Sequence, residues 1–198
     1  MSAGMKLDTN TLDGRFVRLE PHSALLREPL REALNCDPET WSIMGCSAYG
    51  DQFDRWWADA EIEAAAGSRI PYAVRRLSDG AVIGATSLMS IRWPHRGLEI
   101  GWTFYRPDAR GGPINPECKR LLMAHAFDGG AIRVELMVDL RNRRSQAAVA
   151  KLGAVREGVM RHHKVTWTGY VRDTVVFSVT DTEWPAVRAG LDERLSRF

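Results

Sequence analysis

Hydrophobic residues recur along the chain with two periods, one typical of strands and one typical of helices. Alternation is clearest in residues 98–104, Leu-Glu-Ile-Gly-Trp-Thr-Phe, where every second side chain is apolar. A period of two predicts a strand with one buried face. Helical spacing is clearest in residues 51–66, where Phe53, Trp56 and Trp57 lie three and four positions apart before Gly67. This spacing predicts an amphipathic helix that ends at the glycine.

The same two periods predict the order of the remaining elements. That order is strand, two helices, three strands, helix, strand, helix, two strands, helix. Short turns such as Ser78-Asp79-Gly80 join most of the strands, and strand–helix–strand units occur only in the middle of the chain. The expected fold class is therefore α+β, with a mixed, mostly antiparallel seven-stranded sheet and helices on both faces.

Three helix boundaries depend on single residues. Ser23 is expected to cap the first helix, which would use Leu25 as an apolar position. Pro116 is expected in the first turn of another helix, where a missing N–H group costs little. Asn142 is expected to cap a short helix over residues 145–152, which Gly153 ends.

The chain is expected to form one domain, because no repeat, linker or low-complexity tract appears in its 198 residues. We expect residues 1–10 to be a flexible lead and residues 11–198 to be the domain. No apolar run approaches the ~20 residues of a membrane span, so no membrane partner is expected. The three cysteines lack metal-ligand spacing. They indicate free thiols, no bound metal and a cytoplasmic location.

Charge is unevenly distributed. The formal net charge of +2 is too small to indicate nucleic-acid binding. Residues 141–164, however, contain seven basic residues and one acidic residue. This segment is either a solvated surface or a surface that faces an anionic ligand. No aromatic residues for base stacking alternate with its charges up to Lys164, so direct nucleic-acid binding is not expected.

The loop at residues 108–115 has the clearest chemical character. Gly111 and Gly112 stand just before a predicted helix. A glycine-bearing loop that enters a helix leaves backbone N–H groups unpaired, and the positive end of the helix dipole attracts phosphate. Many loops before helices contain glycine, so this pattern alone is a weak indication of phosphate binding.

Four segments, in the right order, strengthen that indication through a family resemblance. Residues 110–119, Arg-Gly-Gly-Pro-Ile-Asn-Pro-Glu-Cys-Lys, resemble the acetyl-CoA pyrophosphate loop of the GNAT superfamily of N-acetyltransferases. Residues 98–103 resemble the central strand of its RimJ/RimL-type branch. Residues 142–154 resemble that branch's Asn-x-x-Ser…Leu-Gly-Ala helix. Residues 161–185 resemble its C-terminal hairpin and helix. The resemblance spans about residues 12–195 and implies the α/β-type GNAT fold and an acetyl-CoA-dependent N-acetyltransferase.

The loop departs from the family pattern at two positions. Pro113 and Asn115 stand where the superfamily has small residues. Proline has no N–H group to offer a phosphate, and the asparagine narrows the approach. We expect acetyl-CoA to bind through the remaining amides, with reduced affinity.

The resemblance also implies where the cosubstrate lies. Its pantetheine arm would occupy a wedge where the strand at residues 99–104 diverges from the strand at residues 133–138. Gly101 would allow close approach on the first of these strands. The basic residues Arg141 and Arg143, with Arg144, would either meet the CoA phosphates or stay in solvent. The expected cofactor-binding residues are Trp102, Thr103, Arg110, Gly111, Gly112, Ile114, Asn115, Asn142, Arg144 and Ser145.

Glu99 and Ser145 are the expected catalytic residues. Glu99 would take the proton of the acceptor amine, directly or through water, or would merely attract a cationic amine from the rim of the site. Ser145 would donate a proton or a hydrogen bond to the departing thiolate, or would be an ordinary exposed helical serine. His95 and His125 are weaker candidates for the base, and His125 is expected to be packed among apolar neighbours.

The acceptor is left open between three hypotheses. The RimJ/RimL likeness favours a protein N-terminal α-amine, and the alternative is a small molecule such as a polyamine, an amino acid or an antibiotic. A CoA-binding module without turnover is the third, suggested by Pro113 and by the lack of an obvious tyrosine acid. Acceptor choice is expected to lie in residues 27–66 and 93–97, where Trp41 and Trp93 either line a cleft or pack in the core. A homodimer is expected from the resemblance alone.

Overall fold

A mixed sheet of eight strands forms the centre of the computed structural model, which describes residues 4–198. The strands lie in the order β1-β2-β3-β4-β5-β6-β8-β7, and every neighbouring pair is antiparallel except β5 and β6. Their bounds are β1 Leu12–Asp13, β2 Val17–Pro21, β3 Arg69–Arg76, β4 Val82–Arg92, β5 Gly97–Tyr105, β6 Arg133–Asp139, β7 Val155–Val165 and β8 Val171–Thr180.

Six α-helices cover the two faces of this sheet. Side chains alternate between the faces, so Tyr72 and Val74 belong to one hydrophobic cluster and Ala73 belongs to the other. The first three helices pack on the face of Ala73, and the last three supply residues to the larger cluster. The helices are α1 Arg27–Leu34, α2 Pro38–Ser42, α3 Phe53–Ala65, α4 Ile114–Asp128, α5 Arg143–Ala150 and α6 Trp184–Ser196.

The predicted fold class is confirmed, but the predicted number of strands is wrong. The additional strand is β1, which consists of two residues and pairs with β2 through Leu12↔Leu19 and Asp13↔Arg18. Two residues are too few to show a hydrophobic period. The prediction also missed α2, a single short turn of helix that Asp37 caps by accepting a hydrogen bond from the Thr40 N–H group.

Two of the predicted helix starts need correction. Ser23 makes no capping hydrogen bond with its side chain, and Leu25 is exposed, because a 3-10 turn at Ala24–Leu26 precedes α1. The helix assigned to Pro116 starts earlier, at Ile114. Pro116 still lies in the first turn of α4, where backbone N–H groups have no acceptor within the helix. A residue without an N–H group is therefore tolerated there.

The predicted N-terminal lead, residues 1–10, is partly packed against the domain. Residues 1–3 lie outside the described residues. Met5 and Leu7 are buried in the larger cluster, and the Lys6 N–H group donates to the Gly129 carbonyl oxygen at 2.8 Å. The expected flexibility therefore does not apply to residues 5–7, because their apolar side chains cover the end of α4.

A buried carboxylate fixes the start of α4 to the sheet. Glu117 is 5% exposed and accepts hydrogen bonds from three consecutive backbone N–H groups, those of Arg15, Phe16 and Val17, at 2.7–2.8 Å. Gly14 is required beside it, since a Cβ atom there would stand 2.5 Å from the Glu117 carboxyl carbon. The chain thus holds the N-terminus of α4 at one position relative to β2.

We predict that Glu117→Gln lowers the free energy of unfolding by about 2 kcal/mol, because the new amide group would face an N–H donor that loses its acceptor. Urea unfolding followed by circular dichroism measures this change. Glu193→Gln is the matched control, since Glu193 is exposed and pairs only with Arg197 on its own helix. Equal stability of the two variants would contradict the anchoring role of Glu117.

Candidate active site

The central feature of the site is the divergence of β5 from β6. The two parallel strands pair only through Gly97↔Arg133, Leu98↔Val134 and Glu99↔Glu135. Beyond Glu99, β5 continues to Tyr105 beside β4 alone. The wedge predicted between these strands is therefore present, and it opens immediately after Glu99.

A β-bulge coincides with this opening. The single residue Thr86 of β4 stands opposite two residues of β5, Trp102 and Thr103. Trp102 adopts a φ of 48°, in the left-handed region that non-glycine residues rarely occupy. The extra residue interrupts the hydrogen bonds between β4 and β5. It also changes the direction of the β5 backbone along the edge that no longer pairs with β6. The bulge therefore lies on the part of β5 that has no strand on its other edge.

The wedge leads into a cavity of about 540 Å³. Its floor is β5, and its walls include the loop before α4 and the N-terminal part of α5. Nine of the ten predicted cofactor-binding residues line it: Trp102, Thr103, Arg110, Gly111, Gly112, Asn115, Asn142, Arg144 and Ser145. The tenth, Ile114, does not line this cavity, because its side chain is buried in the larger hydrophobic cluster.

The glycine loop has the conformation that the sequence predicted for an anion-binding turn. Gly111 adopts a φ of 85°, which a residue with a side chain would adopt only under strain. Pro113 caps α4, and Ile114 and Asn115 begin it, so the amides of these two residues have no acceptor within the helix. Gly112 and Asn115 face the cavity. The positive end of the α4 dipole therefore adjoins this wall of the cavity.

Arg110 lines the cavity and also fixes the glycine loop to the rest of the fold. Its Nη1 group bonds the Asp37 carboxylate, and its Nε group donates to the Tyr105 carbonyl oxygen at 2.9 Å. The guanidinium also lies over the Phe104 ring, at 5.4 Å from its centroid. These contacts tie the loop to the start of α2 and to the end of β5, whereas the Nη2 atom is buried and has no hydrogen-bond partner among residues 4–198.

The cavity is strongly basic. Among the residues that line it, seven are basic and two, Glu99 and Asp139, are acidic. The Asp139 carboxylate is already paired with Arg141, which also stacks on the Tyr170 ring at 3.5 Å. Of the arginines considered at residues 141–144, only Arg144 lines the cavity. The basic lining residues are Arg110, Lys119, Arg144, Lys151, Lys164, Arg172 and Arg194.

Lys119 is a site residue that the sequence analysis missed. It is 5% exposed, and its Nζ group donates to the Thr103 Oγ1 atom at 2.6 Å, beneath the bulge. Burial lowers the pKa of Lys119 to about 8. The spacing in the sequence could have indicated this position. Lys119 precedes Leu122 by three residues, so the two side chains lie on the same, buried face of α4. An amine in a dry site beside the bulge adds positive potential where a ligand carbonyl would lie.

Glu99 has the environment of a base. Its side chain lines the cavity although the residue is only 6% exposed. Burial raises the pKa of Glu99 above its ordinary value, and the nearby Lys164 opposes this rise. A Cβ atom at Gly101 would stand 3.0 Å from the Glu99 Oε1 atom, so the carboxylate lies next to the backbone just before the bulge.

Asn142 and Ser145 lie at the start of α5, opposite β5. The Asn142 Oδ1 atom accepts a hydrogen bond from the Ser145 N–H group at 3.0 Å, which confirms the predicted helix cap. Both residues line the cavity. Neither His95 nor His125 lines it, and the Nε2 atom of His125 is buried.

Neither of the two tryptophans considered for an acceptor cleft lines this cavity or the one that adjoins it. Trp41 is 1% exposed and stacks on Phe104 with ring centroids 4.4 Å apart, so it belongs to the core. Trp93 donates from its Nε1 group to the Gly67 carbonyl oxygen, away from the cavity.

Within residues 4–198, no group of three or more histidine, cysteine, aspartate and glutamate side chains is arranged to hold a metal ion. The described helices are also too short or too polar to cross a membrane. The three cysteines, Cys36, Cys46 and Cys118, are free thiols.

Comparison with known proteins agrees with this geometry. The family model for the acetyltransferase (GNAT) domain matches residues 17–155. A Bacillus subtilis (strain 168) protein provisionally named ribosomal N-acetyltransferase YdaF is 28% identical over 109 residues, which are 54% of this chain and 58% of that protein. The match thus spans less than two thirds of that relative's length, and its name supports the resemblance to the RimJ/RimL branch.

Two solved structures share the fold over almost the whole chain. A GCN5-related N-acetyltransferase from Brucella melitensis is 29% identical with a TM-score of 0.88, and the match covers 98% of this chain and 89% of that one. RimJ of Mycobacterium smegmatis, solved in complex with CoA-disulfide, has a TM-score of 0.76 at 19% identity, covering 97% and 94% of the two chains. The diverging strands, the bulge, the glycine loop and the family match together show that this chain belongs to the GNAT family of acetyltransferases.

Proposed function

We propose that this enzyme transfers the acetyl group of acetyl-CoA to a protein N-terminal α-amine in the cytoplasm. The observation that carries the acetyl-CoA part is the basic cavity of about 540 Å³ that opens where β5 leaves β6. The protein acceptor is supported by the likeness to YdaF, a relative named for ribosomal N-acetylation.

The residues of the cavity fit a CoA molecule. The amides of Gly111, Gly112 and Asn115 at the start of α4 suit a diphosphate, and Arg144 and Lys151 add positive charge on the α5 wall. Pro113 contributes no N–H group, so the diphosphate has one donor fewer than the usual loop offers. Unpaired backbone of β5 suits the amide groups of a pantetheine arm.

The chemistry follows from the groups around the bulge. Glu99, as a buried carboxylate with a raised pKa, accepts the proton of the attacking amine. Backbone N–H groups at Trp102 and Thr103 donate to the carbonyl oxygen as negative charge develops on it, and Lys119 adds to the positive potential there. The Ser145 hydroxyl, on the opposite wall, donates a hydrogen bond to the departing thiolate. These groups are held on regular elements, so little reorganisation accompanies the reaction.

Release of free thiol from acetyl-CoA tests this proposal. The assay compares peptides with free N-termini, the same peptides with blocked N-termini, polyamines and single amino acids. We expect free N-terminal peptides to accelerate release and blocked peptides to have no effect. Faster release with a polyamine would assign a small-molecule acceptor. CoA binding by calorimetry without acceleration by any amine would indicate a binding module that does not turn over.

Glu99 as the base makes a prediction about pH. A protonated Glu99 cannot accept a proton, so kcat/KM, calculated on the concentration of neutral amine at each pH, should fall as pH drops through the raised pKa of Glu99. Glu99→Gln should remove this acidic limb and lower kcat/KM by about 10²-fold or more. The control is Glu135→Gln, since Glu135 pairs with Glu99 across the strands but bonds Arg133 and Arg92 outside the cavity. An acidic limb that persists in Glu99→Gln would exclude Glu99 as the base.

A further inference from the structure

A second cavity of about 550 Å³ adjoins the first and shares Gly45 and Trp102 with it. It is bounded by the outer side of α3 and by residues 165–167, which begin at the end of β7. The expected acceptor region, residues 27–66, supplies nine of its lining residues, whereas residues 93–97 supply none. Because Trp102 lines both cavities, a molecule bound in the second cavity would lie next to the acetyl-CoA thioester proposed for the first cavity.

Arg69 is the unusual residue of this second cavity. The side chain is 3% exposed, and two of its three nitrogens are engaged: Nη1 with the Glu63 carboxylate at 3.1 Å and Nε with the Ser87 Oγ atom at 3.0 Å. The guanidinium carbon also lies 5.9 Å from the ring centroids of both Trp56 and Trp102. The side chain is therefore fixed in place. Its Nη2 atom is buried and has no hydrogen-bond partner among residues 4–198.

Trp102 carries the second unpartnered group. Its Nε1 atom is likewise buried and has no partner in the described part of the chain. Buried polar groups in proteins are nearly always hydrogen-bonded, so two such groups beside one cavity call for an explanation. Both are N–H donors, and only a molecule that supplies acceptor atoms can satisfy them. An alkylamine or a polyamine offers no oxygen and brings further positive charge toward a guanidinium.

We propose that the second cavity selects amines with a carbonyl oxygen on the adjacent carbon, and that Arg69 Nη2 and Trp102 Nε1 donate to this oxygen. The inference rests on the proposed acetyl transfer, because the amine must reach the first cavity. Trp102 follows Gly101, which adjoins the Glu99 carboxylate, so this donor lies three residues from the proposed base on β5. Arg69 lies on β3, and its guanidinium carbon is 5.9 Å from the Trp102 ring centroid. An α-aminoacyl group also places its nitrogen and its oxygen only two carbons apart.

A neutral carbonyl oxygen is sufficient for this site. Two cations line the cavity, and each has a carboxylate beside it: Arg69 pairs with Glu63 at 3.1 Å, and Arg55 lies 3.9 Å from Asp59. A peptide N-terminus and a free amino acid share the α-aminoacyl group, and they differ in whether the carbonyl belongs to an amide or to a carboxylate. The absence of an uncompensated cation favours the amide.

The test compares kcat/KM for alaninamide, an alanyl peptide and free alanine with that for 2-aminopropane, which lacks the carbonyl group, at equal concentrations of neutral amine. We expect the wild-type enzyme to prefer alaninamide over 2-aminopropane by about 10²-fold or more, because a site built around a substrate oxygen rejects an analogue without it. Preference for the peptide over alanine would assign a polypeptide acceptor, and the reverse would assign an amino acid.

Arg69→Met should reduce this preference at least tenfold. Arg75→Met is the matched control, since Arg75 lies on the same strand and pairs with Glu20 through bonds of 2.9 and 2.8 Å but lines neither cavity. Trp102→Phe, which keeps a ring and removes the Nε1–H group, should also reduce the preference and covers the case in which Arg69→Met does not fold.

Equal use of alaninamide and 2-aminopropane by the wild-type enzyme would overturn this inference alone. So would an unchanged preference in folded Arg69→Met and Trp102→Phe. A wild-type enzyme that acetylates no amine would overturn the proposed function and this inference together.

Discussion

The whole site depends on β5 losing its parallel partner after Glu99. A strand in the middle of a sheet normally has both edges paired, and unpaired backbone polar groups in a buried position are costly. Here β5 continues from Gly101 to Tyr105 with one edge facing a cavity instead of β6. A ligand with amide and carbonyl groups can complete that edge. The bulge at Trp102 and Thr103 determines which backbone groups it meets.

The rest of the fold holds the two sides of this opening apart. Glu117 fixes α4 to the backbone at residues 15–17, and Arg110 fixes the glycine loop to Asp37 and to the end of β5. Asn142 caps α5 on the opposite wall. Burial between these elements lowers the pKa of Lys119 and raises the pKa of Glu99, because removal from water disfavours the charged form of each group. The structural anchors and the reactive groups thus belong to the same elements.

The sequence was sufficient for the elements with a clear period or a clear turn. The alternation at residues 98–104, the cap at Asn142 and the glycine loop all concern neighbours in the chain, and the structure has them where they were predicted. It was insufficient where a role depends on distant partners. The contact of Arg110 with Asp37 could not be predicted because it joins residues 73 positions apart. The surroundings of Lys119 and Arg69 depend in the same way on packing between elements, and β1 is too short to show a period.

The most direct test of the central claim is hydrogen exchange at the amides of the two bulge residues, Trp102 and Thr103, measured with and without acetyl-CoA. If β5 offers an unpaired edge to the cosubstrate, these amides exchange quickly in the free enzyme and become protected when acetyl-CoA is bound. Amides of β3, which is paired on both edges, should not change. Saturation with acetyl-CoA that leaves exchange at residues 102 and 103 unaltered would contradict the account.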